Sequence, residues 1–147
     1  MKVLAVSSIG GHWVQLLRLM PAYEDDEIEF VSTNRDLASM VPDHKFHYIA
    51  DGSRADKFSL IKCFFALLKL IKKIKPDVII TTGAAPGLMA IISGRMLGVT
   101  TIWVDSIANC EMLSMSGRIA LKFANVVYTQ WEHLEEKGVT FKGNILG

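Results

Sequence analysis

The sequence predicts an α/β fold: a doubly wound, mostly parallel sheet with helices on both faces. Two observations carry the prediction. Short β-branched runs alternate with segments of helical spacing along the 147 residues, and such alternation builds parallel sheets. Two of the runs, Val3-Leu4-Ala5-Val6 and Val78-Ile79-Ile80, are apolar throughout, as strands buried on both faces are. No internal repeat, low-complexity tract or Pro/Gly/Ser-rich linker interrupts the chain, so residues 1–147 are expected to form one domain.

The elements follow in order. The first strand is expected at 2–7, around the Val3 run. Gly10-Gly11 ends it, and a helix at 12–19 follows. The β-branched segment 28–33 is the second strand, 35–40 a short helix and 45–49 the third strand. The longest helical pattern, 56–74, gathers Leu60, Phe64, Leu67, Leu68, Ile71 and Ile74 on one side, the stripe of a helix lying on a sheet. Strand 78–82 holds the second apolar run. Pro86 suits the first position of a helix, expected at 86–97. Strand 100–104, helix 116–123 and strand 126–129 complete the pattern.

Composition excludes several classes. A chain that is 50% hydrophobic with a formal net charge of +1 is not intrinsically disordered, which needs low hydrophobicity and high net charge. The first apolar run is too short for a signal-peptide core. No run reaches the roughly 18 apolar residues that span a bilayer. With two cysteines, Cys63 and Cys110, there is no disulfide framework, and reduced thiols in the cytoplasm are expected. His44 and His47 are three apart, but no cysteine or third histidine is spaced with them, so neither metal nor cofactor is expected.

In a doubly wound sheet the ligand crevice opens at the carboxyl ends of the strands. Three junctions should therefore converge: the one at Gly10, Gly11 and His12, the one at Gly83, Ala84 and Gly87, and the one at Asp105, Ser106 and Asn109. Gly10 and Gly11 let the backbone approach a ligand, and the free N–H groups of the following helix turn favour an anion such as a phosphate. An ordinary tight turn is the alternative. The stretch is neither a dinucleotide fingerprint, since His12 and Gln15 stand where glycines would, nor a P-loop, since no Gly-Lys-Ser/Thr follows. His12 can donate to a phosphate or take a proton from a hydroxyl, or it can simply pack at the helix edge. The small residues of the second junction leave the backbone open, or serve close packing. Asp105 can accept from a sugar hydroxyl or cap its own loop, and Asn109 carries the same two readings.

Charge is unevenly spread. Residues 57–75 hold six lysines and no acid, whereas residues 1–56 hold five Lys/Arg against nine Asp/Glu. Lys62, Lys69 and Lys73 fall near one helical stripe with Lys72 beside it, and Phe65 lies close to them. A solvated helix face is one reading. Contact with anionic lipid, worth about 1 kcal/mol per Lys near the surface, is the other. Nucleic acid is not expected, because the patch is one helix long and lacks arginine.

Four segments carry a family resemblance. Ser7-Ser8-Ile9-Gly10-Gly11-His12-Trp13-Val14-Gln15-Leu16 resembles an S-x-G-G-H-x-x-Q/E-L opening. Pro76-Asp77-Val78-Ile79-Ile80-Thr81-Thr82-Gly83 resembles P-D-hydrophobic-x-x-T/N-G. Asp105-Ser106-Ile107-Ala108-Asn109 with Leu113-Ser114-Met115-Ser116-Gly117-Arg118 resembles E-S-x-A-R…L-S-x-T/S-G-K/R. Ala124-Asn125 with Gln130-Trp131 resembles A-D…Q-W. They lie in order from Ser7 to Trp131 and are similar to the acceptor-binding subunits of split GT-B glycosyltransferases. These are the PssD-type exopolysaccharide subunits and the anchor subunit of the eukaryotic dolichol-linked UDP-GlcNAc transferase, related to the N-terminal domain of MurG. The sequence departs from the pattern at Ile9, which replaces a glycine, and at Asp105 and Asn109, which stand where Glu and Arg are usual.

The resemblance implies a single Rossmann-like GT-B N-terminal half. It implies an acceptor-binding subunit of an inverting, metal-independent transferase, acting from a UDP-sugar such as UDP-GlcNAc onto a polyprenyl-diphosphate-linked acceptor. A second subunit would carry the nucleotide-sugar site. Gly10 and Gly11 would hold the diphosphate. His12 would touch it or act as base, and Gly83, Ala84 and Gly87 would border the crevice. Asp105, Ser106 and Asn109 would meet acceptor or partner. Lys62, Phe65, Lys69, Lys72 and Lys73 would dock on the inner face of the cytoplasmic membrane. The first strand begins at Lys2, so no N-terminal anchor is expected. The end at Lys142-Gly143-Asn144-Ile145-Leu146-Gly147 falls where a first domain would cross into a second, and a piece of a longer enzyme reads the same way. A non-catalytic, membrane-recruiting scaffold and a lone sugar- or nucleotide-binding module are the alternatives.

Overall fold

A computed structural model describes residues 1–52 and 55–146. Gly147, the last residue of the expected crossing segment, lies outside the described residues. Seven strands form one sheet: β1 (Lys2–Val6), β2 (Glu27–Ser32), β3 (Lys45–Tyr48), β4 (Val78–Thr81), β5 (Thr100–Val104), β6 (Val126–Thr129) and β7 (Val139–Phe141). Their order is β3-β2-β1-β4-β5-β6-β7, and every pairing between these strands is parallel. The order reverses between β1 and β4, where a doubly wound sheet opens its crevice. Val6 of β1 stands level with Val31 and Thr81, so the loops that follow β1 and β4 leave the sheet side by side.

Strand alternation divides the core. Val3 and Ala5 face one side, with Ile28, Phe30 and Ile80, under Trp13 and Leu16 of α1 (Gly11–Leu19). Leu4 and Val6 face the other, with Val31 and Ile79, under α2 (Lys57–Ile74). On that second side α3 (Ala84–Met96) and α4 (Met115–Ala120) cover Trp103, Val127 and Val139. Trp13 locks α1 down by meeting Phe30 and Phe46 edge-on at 5.5 and 6.2 Å between ring centres, the arrangement aromatic quadrupoles favour.

The cover is uneven. Beyond α1, Ile102, Val104 and Tyr128 border an open groove of about 600 Å³, walled by Arg18, Tyr23 and residues 142–145. Parallel sheets normally have both faces covered by helices; over this half of the α1 face the groove leaves Ile102 and Tyr128 only half-buried.

Several expected elements shift. Residues 35–40 form a 3₁₀ helix, Arg35–Met40, held at its start by the Asn34 side chain accepting from the Asp36 amide. Six residues between a cap and a strand suit the tighter helix. α3 starts at Ala84, so Pro86 is its third residue rather than its first. α4 ends at Ala120, three residues short of its expected end. β7 was not expected; it has three residues just after Gly138, too few to show an alternation.

Candidate functional site

The crevice is assembled from backbone outward. β1 ends at Val6, and Gly10 turns the chain into α1 with φ +76°, a left-handed angle open to glycine without strain. A side chain added at Gly10 or Gly11 would meet nothing within 4 Å. Gly11 has no left-handed angle, so nothing in the chain's own packing requires a glycine there. His12 enters from the next position. Its Nδ1 lies 3.0 Å from the Thr82 carbonyl oxygen, and the Thr82 hydroxyl donates to the His12 carbonyl at 2.6 Å. A carbonyl only accepts, so Nδ1 carries the hydrogen, and in the neutral ring Nε2 is the acceptor. Nε2 has no hydrogen bond among the described residues. This reciprocal pair joins the β1 and β4 junctions.

Gly83 lies directly against the imidazole. A Cβ there would sit 2.9 Å from His12 Cε1, and its φ is +130°, so glycine is required twice over. Ala84 follows with φ +67°, a strained value for a residue with a Cβ, of order 1–3 kcal/mol. Gly87 plays a different part from the one expected. It is buried, and a Cβ would stand 2.2 Å from Thr81 Oγ1; it lets α3 close onto β4 and does not line the crevice cavity.

The third junction closes the crevice, a cavity of about 250 Å³ in which His12, Gly83 and Ala84 face Asp105, Ser106 and Asn109. Asp105 is buried, and its oxygens are engaged. Oδ1 accepts from Trp103 Nε1 at 3.0 Å and from the Ser114 hydroxyl at 2.6 Å; Oδ2 accepts from the Ser114 amide at 3.0 Å. Ser114 in turn caps α4 by accepting from the Gly117 amide. Of its two sequence readings, Asp105 takes the loop-capping one. Ser106 is likewise committed: its hydroxyl accepts from Gln15 Nε2 at 3.0 Å and from the Ala108 amide at 3.2 Å. The Asn109 side chain lines the cavity without a hydrogen bond among the described residues. Thr82, Ser114 and Ser116 also line it. They were legible only as members of motif segments, since hydroxyls carry little signal in sequence.

Residues 44–145 match the family described as "Oligosaccharide biosynthesis protein Alg14 like". The chain belongs to this Alg14-like family. The likeness to split GT-B acceptor subunits is thereby borne out at the level of family. Human "UDP-N-acetylglucosamine transferase subunit ALG14" is 25% identical over 169 residues, covering 93% of this chain and 78% of the human protein. A Staphylococcus aureus UDP-N-acetylglucosamine–N-acetylmuramyl-(pentapeptide) pyrophosphoryl-undecaprenol N-acetylglucosamine transferase is 28% identical over 105 residues, which is 65% of this chain but 29% of that enzyme. Among solved structures, MurG of Acinetobacter baumannii superposes with a TM-score of 0.80 at 14% identity. A UDP-GlcNAc 2-epimerase of Methanocaldococcus jannaschii gives 0.72 at 15%. The Alg14-like chain spans 46% of each of those two structures. That MurG and an epimerase share one fold shows the fold alone, and a fold does not choose the chemistry.

In this Alg14-like chain α2 runs antiparallel to the strands. Its C-terminal end is fixed at the amino edge of the sheet, where Lys2 Nζ donates to the Ile74 carbonyl at 3.2 Å. Its first turns therefore lie toward the crevice edge. The buried side is Cys63, Leu67, Ile71 and Ile74; Leu60, Phe64 and Leu68 of the expected apolar side are only half-buried. Facing outward are Lys62, Phe65, Lys69, Lys72 and Lys73 as expected, together with Phe58 and Ile61, which the sequence reading missed. Phe58 is 66% exposed and Phe65 59%, and Lys62 Nζ stands 5.0 Å from the Phe58 ring centre. The face is thus graded, apolar near the crevice and basic at the far end. No helix among the described residues is long and apolar enough to cross a membrane.

Proposed function

We propose that this chain holds the acceptor for an inverting, metal-independent glycosyltransferase whose nucleotide-sugar site lies on a second polypeptide. The observation that carries the reading is the crevice between β1 and β4. There, among the described residues, His12 Nε2 and the Asn109 side chain have no hydrogen bond, and the unobstructed Gly10 and Gly11 precede His12 at the β1 junction, outside the lining of the cavity itself. A polyprenyl-diphosphate sugar suits it. The diphosphate would lie on the free N–H groups of α1 behind Gly10 and Gly11. The acceptor hydroxyl would donate to Nε2. As that oxygen bonds to the donor sugar carbon, its proton passes to Nε2, and the nucleoside diphosphate leaves with the electrons of the broken C–O bond. The Thr82 carbonyl on Nδ1–H steadies the imidazolium so formed. Gly83, Ala84 and Asn109 border the bound sugar. The donor is a UDP-sugar, in keeping with the name of the human relative.

The outer face of α2 supports a place on the inner surface of the cytoplasmic membrane. Phe58, Ile61 and Phe65 enter the interface near the crevice, and Lys62, Lys69, Lys72 and Lys73 meet anionic headgroups. The open groove over the β5–β6 half of the α1 face supports a partner chain, because Ile102 and Tyr128 are only half-buried there and an apolar parallel sheet calls for cover.

A second reading, a recruiting scaffold without chemistry of its own, is favoured by the way Asp105 and Ser106 are engaged within the fold. One experiment separates the two. The chain is co-expressed with its partner, and transfer to a lipid-linked acceptor is assayed with His12→Ala. A catalytic His12 predicts a loss of about 10²–10⁴-fold, the usual reach of general base catalysis, with the complex intact. Undiminished turnover assigns the chain to the scaffold.

A further inference from the structure

Two buried amides outside the crevice cavity hydrogen-bond to its third wall. Gln15 on α1 and Gln130 just after β6 are 6% and 3% exposed. Gln15 Oε1 accepts from the Ile107 amide at 3.0 Å and from Gln130 Nε2 at 2.7 Å; Gln15 Nε2 donates to the Ser106 hydroxyl. Gln130 Nε2 also donates to the Asp105 carbonyl at 2.9 Å, and its Oε1 accepts from the Ile145 amide at 3.1 Å. Backbone partners fix which atom is oxygen and which nitrogen in both side chains, since N–H groups only donate and carbonyls only accept. The pair therefore ties α1, the β5 loop, the segment after β6 and the chain near Ile145 into one network.

We propose that Gln15 and Gln130 are positioning residues of the crevice: they hold residues 105–109 at the distance from His12 that a ligand needs. The claim deepens the acceptor reading and rests on it. The chemistry makes the two amides unequal. Gln15 uses its oxygen twice, and its one donated bond goes to a hydroxyl, which can turn and donate instead. A carboxylate at position 15 keeps every contact. Gln130 gives its two N–H groups to a side-chain carbonyl and a backbone carbonyl, and neither can reverse. A carboxylate at position 130 faces two acceptors and breaks the network.

The test uses the full chain and a soluble probe, farnesyl-diphosphoryl-N-acetylglucosamine, titrated calorimetrically near neutral pH. Gln15→Glu is expected to bind within about twofold of wild type, whereas Gln15→Leu and Gln130→Glu are expected to bind about tenfold or more weakly, as the loss of buried donors dictates. Near-ultraviolet dichroism checks folding, and Gln130→Met replaces Gln130→Glu if the latter does not fold. In parallel, exchange of the Ile107 amide hydrogen is followed by NMR. It should stay slow in wild type and Gln15→Glu and quicken in the other two. The proposal is overturned if Gln15→Glu loses the probe as Gln15→Leu does, or if Gln130→Glu binds like wild type. If wild type ignores the probe, the acceptor reading fails and the exchange data decide the positioning claim: uniform exchange across the variants overturns it, and the ordered pattern supports it.

Discussion

The β5 loop and the outer face of α2 are opposite kinds of surface in one chain. The loop is held from every side: Asp105 by Trp103 and Ser114, Ser106 by Gln15, and Ile107 by Gln15 and by Trp131 Nε1 at 2.7 Å. The α2 face carries Phe58, Ile61, Lys62, Phe65, Lys69, Lys72 and Lys73 outward, and among the described residues Lys62 stands over Phe58. A surface that must present fixed groups to a small ligand needs its polar atoms pre-set. A surface that meets a fluid, charged layer needs only area and charge. The difference teaches which residues of this chain serve shape and which serve contact.

The comparison can be broken by substitution, and the largest effect is expected at Asp105. Asp105→Ala leaves the Trp103 indole, the Ser114 amide and the Ser114 hydroxyl without their acceptor. A stranded buried donor costs about 1–3 kcal/mol, and the Trp103 indole is buried while the two Ser114 donors are half-buried, so urea titration should show a loss of about 1–3 kcal/mol or more. A loss near zero would mean that the loop is not wired as described.

A glycine pair, Gly83 lining the crevice cavity and Gly11 at the β1 junction outside that lining, sharpens the contrast. Gly83→Ala adds a Cβ 2.9 Å from the imidazole at φ +130°, for an expected destabilisation of about 1–3 kcal/mol. Gly11→Ala meets nothing within 4 Å, so its stability should stay within about 0.5 kcal/mol while acceptor binding falls. Equal stability of the two variants would erase the distinction between a packing glycine and a ligand-facing one.

On α2, replacing Lys62, Lys69, Lys72 and Lys73 by Gln should leave the melting temperature nearly unchanged, because exposed substitutions stay within about 0.5 kcal/mol. The same variant should lose most of its salt-sensitive binding to anionic vesicles, since screening shortens to about 3 Å at 1 M salt.

The smallest effect concerns the inner side of α2. Burial, with Asp51 adding to it, raises the Cys63 thiol to about 11, whereas Cys110 is exposed. Iodoacetamide at mildly alkaline pH should therefore alkylate Cys110 in the native protein and spare Cys63. The raised value also fixes the sign of the pH effect. The contribution of a neutral Cys63 is complete below the unfolded thiol value, roughly 8.5, and is lost as pH climbs through the folded one.

Much of the fold was legible because the signal is local. Val3-Leu4-Ala5-Val6 and Val78-Ile79-Ile80 mark β1 and β4, the two strands that flank the crevice, and β5 and β6 fall where their β-branched runs begin and end. β7 escaped because three residues show no period. The crevice was legible as three junctions, and His12, Gly83, Ala84, Asp105, Ser106 and Asn109 do meet in one cavity. What each residue does there was not legible. Whether Asp105 faces a ligand or caps its loop depends on Ser114, nine residues away, and on Trp103. Gly87 looked like a ligand-facing glycine until Thr81 was seen beneath it. Gln15 and Gln130 lie 115 residues apart in sequence, and no periodicity joins them.

The central claim is that one edge of this sheet presents both a diphosphate-sugar crevice and a membrane-contacting helix. It is tested most directly by co-sedimenting the chain with anionic vesicles that contain, or lack, a polyprenyl-diphosphate sugar. The account predicts binding to both at low salt, tightened about tenfold by the lipid-linked sugar, a difference of about 1.4 kcal/mol, with the tightening lost in Gly11→Ala. Equal affinity for the two vesicle types, or equal affinity for neutral vesicles, would contradict it.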